Sequence, residues 1–416
     1  MITKNKTLSL FIISFFTLWL LPFPLYQIPY LESIATFISG IIESTSIWVG
    51  TQIFNIEETI NPTRNGSGDK LYDYVLFYSL LVISLLITIV LELLRVLKKI
   101  NINFQKINYW FFVYLRLYLF TVLLSYGLAK VFPLQFREPG YFRLLTNFGD
   151  FSPMGLEWTY MGFSRGYTFL AGILEVIGAL LLLHRRTMKI GAVIISVVMF
   201  NVAAVNIFYD VPVKLYALRY LSIAILLLLP DLKRILQVFF DAKTIEPHIK
   251  YEPFKGKLKK YALVFKWVLI LLYLGYDLQT YLERDYTDHK PINEGLYKVT
   301  KFERNGDEIP PLVTDSTRVN YISIERYNVI GVMNMPEDKL YYRVELDTLN
   351  KKYLLKNYRD SLDIYSLTYS EKKDSLFFSG THKNDTIQIH TVRLEKSDFL
   401  IYQRPFTWIN DRPFNR

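Results

Sequence analysis

Along the first two thirds of the chain, apolar runs alternate with basic turns; near residue 290 this gives way to short segments in which apolar and polar residues alternate. Seven runs reach or approach the ~20 apolar residues a helix needs to cross hydrocarbon. They are residues 8–25, 74–97, 109–132, 167–183, 190–208, 213–229 and 261–279. The sixth follows Pro212, which suits a first helical turn because the missing N–H would be unpaired there anyway. Residues 28–54 carry apolar positions at helical intervals but interleave Glu32, Glu43 and Thr45, which predicts a helix lying in the interface. Lys4 and Lys6 precede the first run and no small-residue cleavage pattern follows it, so it is expected to stay as an anchor.

From Gly295 the pattern is strand-like: LYKVTKFE, VNYISIE, YNVIGVMN, LYYRVEL, KYLLKN, DIYSLTYS, SLFFSG, TIQIHTVRL and FLIYQR. Turn residues punctuate these segments at Asn305-Gly306-Asp307, Pro336-Glu337-Asp338, Asp347 to Asn350 and Asn384-Asp385. Consecutive strands of this kind predict an up-and-down barrel, since closure removes exposed edges. The expected fold class is therefore a membrane α-helical bundle followed by an all-β barrel domain. Its parts are an N-terminal membrane region over 1–107 and a four-helix membrane core over 108–232. A basic cytoplasmic linker with the last span follows over 233–290, and the β domain occupies 291–416.

Composition narrows the chemistry. The absence of cysteine excludes disulfides, thiolate nucleophiles and cysteine-ligated clusters. The five histidines, His184, His248, His289, His382 and His390, never fall in pairs at helical spacing within an apolar run, so no metal or haem site is expected. His382 and His390 read as solvated strand residues. The net charge of +10 is largely positional. Lys4 and Lys6, then Arg95, Lys98, Lys99 and Lys106, then Arg185, Arg186 and Lys189 occupy alternate connections, and a long basic linker runs from Lys233 through Lys243 and Lys250 to Lys260. Cytoplasmic loops retain Lys and Arg, so the N-terminus is expected in the cytoplasm and the β domain outside a bacterial inner membrane. The positive charge thus points to membrane lipids rather than nucleic acid, for which no basic-aromatic module is present.

Ionisable residues inside apolar runs are expensive and mark candidate sites. Arg116 and Glu175 lie at comparable depths in neighbouring spans, which predicts a buried pair with either a locking or a functional role. Lys130, Tyr209, Asp210 and Lys214 gather where spans end on the outer side, with Asn201 and Asn206 nearby. Asp210-Val-Pro-Val-Lys214 also reads as a helix cap. The outer loop between the third and fourth spans is rich in aromatic residues, including Tyr141, Phe142, Trp158, Tyr160 and Phe163. These suit the headgroup zone, or a lid bringing Asp150, Glu157 and Trp158 over Lys130 and Asp210.

The segment from Arg116 to Asp231 resembles the DoxX family of membrane proteins. The resemblance rests on RLYLFTVLLSYGLAKVF, with Arg116, Gly127 and Lys130, and on GILEVIGALLLLHRR, with Gly172, Glu175 and Gly178. SPMGLEWTYMGFS, NVAAVNIFYDVPVKL and the WIN-x-x-PFNR tail at Trp408 to Arg416 are similar to those of a long subgroup. The β domain resembles a lipocalin-like barrel, with Gly295-Leu296-Tyr297 standing where lipocalins keep Gly-x-Trp. The DoxX resemblance implies a core of about four helices and quinone-linked chemistry, with quinone as the cofactor. Three functions stay open. They are binding of a lipid- or quinone-like molecule passed to the barrel, a quinone-linked oxidoreductase subunit relying on a redox partner, and a scaffold recruiting an envelope protein through the β domain.

Overall fold

The computed structural model describes residues 5–240, 251–286, 291–326, 329–373, 375–404 and 406–414. Lys4, Lys243, Lys250, His248, His289 and Arg416, which entered the arguments above, lie outside the described residues. The chain forms two compact units, one of Met1–Arg137 with Ser152–Leu282, the other of Glu138–Phe151 with Glu283–Arg416.

The first unit is helical. In chain order it contains α1 (Lys6–Trp19), α2 (Glu32–Gln52), α3 (Leu71–Val96) and α4 (Phe104–Val131). A short α5 (Tyr141–Leu144) belongs to the other unit. Then come α6 (Pro153–Phe163), α7 (Arg165–Leu182), α8 (Met188–Phe208), α9 (Lys214–Leu228), α10 (Leu232–Phe240) and α11 (Gly256–Tyr286). Among the described residues, seven helices are long and apolar enough to cross a membrane: α2, α3, α4, α7, α8, α9 with its continuation to Gln237, and α11. Large apolar side chains such as Leu86, Val197, Phe200 and Leu272 are exposed on them, as a lipid-facing surface requires.

The membership of that set corrects the sequence expectation. α2, expected in the interface, has the length and composition of a span, whereas α1 has only 14 residues. Both run antiparallel to α3. Thr7 at one end of α1 donates to Glu92 at 3.2 Å, while Phe15 and Trp19 at the other end meet the Phe77 ring at 5.6 and 5.1 Å. On α2, the Ser46 carbonyl accepts from Ser79 and Gly50 faces Val75. Since α1 and α2 therefore point the same way, the chain between them must double back along the bundle. The start of that connection is packed in protein, while Tyr26, Ile28 and Tyr30 farther along are exposed. Leu20 and Phe23 are buried, and the Tyr114 hydroxyl donates to the Phe23 carbonyl at 3.2 Å.

The second unit is the expected closed barrel. Its strands are β1 (Gly295–Arg304), β2 (Asp307–Glu308), β3 (Val319–Glu325), β4 (Val329–Asn334), β5 (Lys339–Asp347), β6 (Lys352–Asn357), β7 (Ile364–Lys372), β8 (Ser375–His382) and β9 (Asp385–Leu394). β1 and β3 to β9 pair antiparallel in chain order, and β9 closes on β1 through a register running from Leu296 opposite Leu394 to Arg304 opposite Ile387. The two-residue β2 hairpins onto the end of β1. Alternation sends Ile387, Ile389 and Thr391 inward while Gln388 points out. Tyr342, Tyr353 and Phe302 are fully buried in the interior. The cavity left among Val319, Ile322, Tyr353, Tyr365 and Phe378 is about 10 Å³, room for a single water at most. A lipid-sized ligand needs roughly 300 Å³ or more. Aromatic and aliphatic side chains fill the interior, leaving no space for an apolar ligand.

The segment Glu138–Phe151 packs on the barrel, a placement the sequence did not reveal. The Phe142 ring lies against Gly331 of β4, where any Cβ would collide with it, and meets Tyr341 at 5.8 Å. The Phe142 amide donates to Glu325 at 3.1 Å, and Lys339 donates to the Phe142 carbonyl at 3.2 Å and to the Thr146 hydroxyl at 2.6 Å, closing the end of α5. Lys396 pairs with Glu138 at 2.6 Å. Tyr141 and Phe142, read as headgroup aromatics or part of a lid, are thus buried in the barrel unit.

Candidate functional site

The candidate site is built where α4 and α7 cross. These antiparallel helices touch at Gly127 and Gly172: a Cβ on Gly172 would stand 2.6 Å from the Gly127 carbonyl, and one on Gly127 would stand 2.8 Å from the Gly172 carbonyl. Bilayer helices gain little from apolar burial against each other, so such backbone contact holds the pair together, and Gly191 of α8 meets the Gly178 carbonyl of α7 in the same way. Three residues beyond each glycine stand Lys130 and Glu175. Side chains tilt toward their own helix N-terminus, so in an antiparallel pair these two lean toward one another. The Lys130 ammonium lies 2.8 and 3.0 Å from the two Glu175 oxygens, with both residues buried.

This arrangement replaces the expected pair of Arg116 with Glu175. Measured from the glycine crossing, Arg116 is about 16 Å along α4 and Glu175 only about 4.5 Å along α7, at 1.5 Å per residue. Arg116 also leans away from Glu175. Its guanidinium instead donates to the Leu182 carbonyl at 2.8 Å and the Leu183 carbonyl at 3.1 Å. Lys266 donates to Leu183 as well, so two cations cap the C-terminus of α7, where the helix dipole is negative.

A second carboxyl joins the Lys130 pair. Ser152 caps α6 by accepting from the Gly155 amide at 3.0 Å, and Pro153 fills the first helical position. That start places Glu157 in the interior, only 8% exposed, with Oε2 buried and no hydrogen-bond partner. Burial pushes its pKa up to about 7, with the Lys130 charge pulling the other way. Trp158 beside it meets Phe136 edge-on at 5.2 Å. Tyr126 contributes a ring 5.7 Å from the Lys130 ammonium. Lys130 has three N–H donors and gives two to Glu175. The site therefore offers a remaining ammonium N–H and, below neutral pH, the O–H of Glu157. Both suit a carbonyl oxygen.

The other expected members lie elsewhere. Asp210 has a left-handed φ of 50° and pairs with Lys214 at 2.9 Å, not with Lys130. It does not cap α9 either. Asp69 does, accepting from the Lys214 amide at 2.6 Å and the Leu215 amide at 2.9 Å. No local signal marked Asp69, whose partners are 145 and 146 residues away. Tyr209 is 40% exposed at the end of α8. Asp150 is exposed and belongs to the barrel unit. Of the expected cluster, Lys130 and the Glu157–Trp158 turn share the site. In the barrel, His382 is not a free strand residue; its Nε2 lies 2.7 Å from Asp363 and its ring stacks on Tyr365 at 3.7 Å.

No protein-family model matches the chain, and no solved structure matches it. Over 133 residues it is 28% identical to the Uncharacterized protein YwoB of Bacillus subtilis (strain 168), a match covering 30% of this chain and 79% of that protein. The chain is thus similar to a protein whose description names no activity, and its functional reading rests on the geometry at Lys130, Glu157 and Glu175.

Proposed function

We propose that this protein binds the polar head of a lipid- or quinone-like molecule in the helical unit, at Lys130 and Glu157, on the extracytoplasmic side of a bacterial inner membrane. The reading is supported above all by Glu157, whose buried carboxyl oxygen has no partner while a lysine with a spare donor stands close by. A buried polar group left unsatisfied is costly, and a ligand oxygen accepting from Glu157 and Lys130 would remove that cost. Within this reading residues 108–232 are a DoxX-like core, and a quinone carbonyl fits the donor pair. Seven crossings starting from a cytoplasmic N-terminus leave the barrel outside, in keeping with the positive-inside pattern. The packing of Glu138–Phe151 on the barrel supports this, since it requires the loop after α4 and the domain after α11 to share one side of the membrane. Four crossings between those points keep them there.

Native mass spectrometry of gently extracted protein tests the proposal. The expected result is a bound amphiphile at pH 6 that is lost from Glu157→Leu and weakens as pH rises through about 7, where Glu157 gives up its proton. A consistently empty wild-type protein, or binding indifferent to Glu157→Leu, would overturn it. The filled barrel favours a second role for that unit, recruiting an envelope protein through its outer surface rather than carrying a ligand within.

A further inference from the structure

A separate groove of about 380 Å³ opens between α1, α3 and α9. Its walls are Phe15, Phe16 and Trp19 of α1, Phe77 of α3, and Leu215, Leu218, Leu221 and Ile225 of α9, with Ser222 as the one polar side chain. Arg219 stands at its edge. The guanidinium lies 4.9 Å from the Trp19 ring and 4.8 Å from the Tyr216 ring, sandwiched between them. Its Nη1 reaches the Trp19 carbonyl only at 3.5 Å, and its Nε is buried without a partner. Among the described residues no carboxylate pairs with it.

Charge in a bilayer is costly, and a cation so placed is normally paired. Here the cation is held rigidly by two rings, keeps donors free, and adjoins an apolar channel of small-ligand size. Arg219 is five residues, about 7.5 Å, from the start of α9, and its side chain leans toward that start, so it reaches toward the headgroup level. We infer that this groove binds one anionic phospholipid, with its phosphate on Arg219 and an acyl chain between α1, α3 and α9. Arginine suits that phosphate because its planar fork donates two parallel hydrogen bonds. The inference is independent of the reading at Lys130 and Glu157.

The experiment is native mass spectrometry of the full chain from nanodiscs containing equal phosphatidylglycerol and phosphatidylcholine of identical chains. Wild-type protein should retain one phosphatidylglycerol in preference by about tenfold or more, the effect of one charge-assisted contact. Arg219→Gln should abolish the preference. Because that variant also alters the contact to Trp19, Leu218→Trp provides a second arm. Leu218 is 42% exposed, so tryptophan is accommodated, fills the groove and leaves Arg219 in place; it should expel the lipid. Equal retention of the two lipids by the wild type, or a preference that survives either substitution, would overturn the inference. Displacement by millimolar inorganic phosphate alone would also overturn it, because the site would then hold a free anion.

Discussion

Glu157 in the helical unit and Asp363 in the barrel are both 8% exposed, yet they respond to burial in opposite ways. Asp363 accepts from the Tyr342 hydroxyl at 2.7 Å and the Asn357 amide at 2.8 Å, and His382 lies 2.7 Å from its other oxygen. Burial raises its pKa, but the hydrogen bonds from His382, Tyr342 and Asn357 outweigh burial and hold it below the ordinary value. Glu157 has only the nearby Lys130 charge to oppose burial, and its pKa rises to about 7. The number of donors, rather than depth, decides whether a buried carboxyl stays charged. A saturated carboxylate is part of the architecture, while an unsaturated one is open to a ligand.

The most damaging way to break the comparison is to strip the helical unit of its buried ion pair. Lys130→Met leaves Glu175 buried without its only partner, and should cost about 3–5 kcal/mol in a thermal unfolding experiment in detergent. Adding Glu175→Leu should recover most of that loss, because two apolar groups leave no buried charge behind. A Lys130→Met protein as stable as wild type would mean the pair is not what holds this crossing. The corresponding change in the barrel is smaller. Asp363→Ala leaves the Tyr342 hydroxyl and the Asn357 amide without an acceptor and should cost about 2–3 kcal/mol, read as faster hydrogen exchange in β5 to β8. The pKa of Asp363 is depressed, so its contribution is present above the unfolded value and lost as pH falls through the folded one. Wild type and Asp363→Ala should therefore converge only below about pH 4.

Patterns of local origin were legible in the sequence, and distant pairings were not. The spans in α3, α4, α7, α8, α9 and α11 and the barrel strands follow from hydrophobic runs and from alternation, both properties of neighbouring residues. Reading α1 as a full span and α2 as interfacial failed because the 14-residue α1 merges with the following Leu-Leu-Pro-Phe-Pro run, while Glu32 and Glu43 disguise a helix of crossing length. The Lys130–Glu175 pair did carry a signal, since Gly-x-x-Lys on α4 mirrors Gly-x-x-Glu on α7. Counting depth from span ends obscured it, because α4 begins at Phe104 rather than at residue 109. Asp69 capping α9 and Phe142 seated on Gly331 depend on loops meeting distant surfaces, and nothing in their own neighbourhoods encodes that.

The smallest effect sharpens the comparison most, because its sign is unusual. Glu157 has a folded pKa of about 7. An unfolded glutamate titrates near ~4.3. Below the unfolded value both states are protonated and Glu157 carries no charge penalty. As pH rises toward 7 the unfolded chain releases its proton while the folded one keeps it, so stability falls across that window and levels off once the folded carboxyl ionises. Glu157→Gln keeps the shape without the proton. It should match wild type near pH 4 and exceed it at pH 8 by about 1–2 kcal/mol, after allowing for solvent screening. The check is the difference in unfolding temperature between the two proteins across that range. Curves that run parallel would mean Glu157 titrates normally and has found a donor. Curves that part as predicted, but come together when a bound amphiphile is present, would show the ligand supplying the contact that this carboxyl lacks.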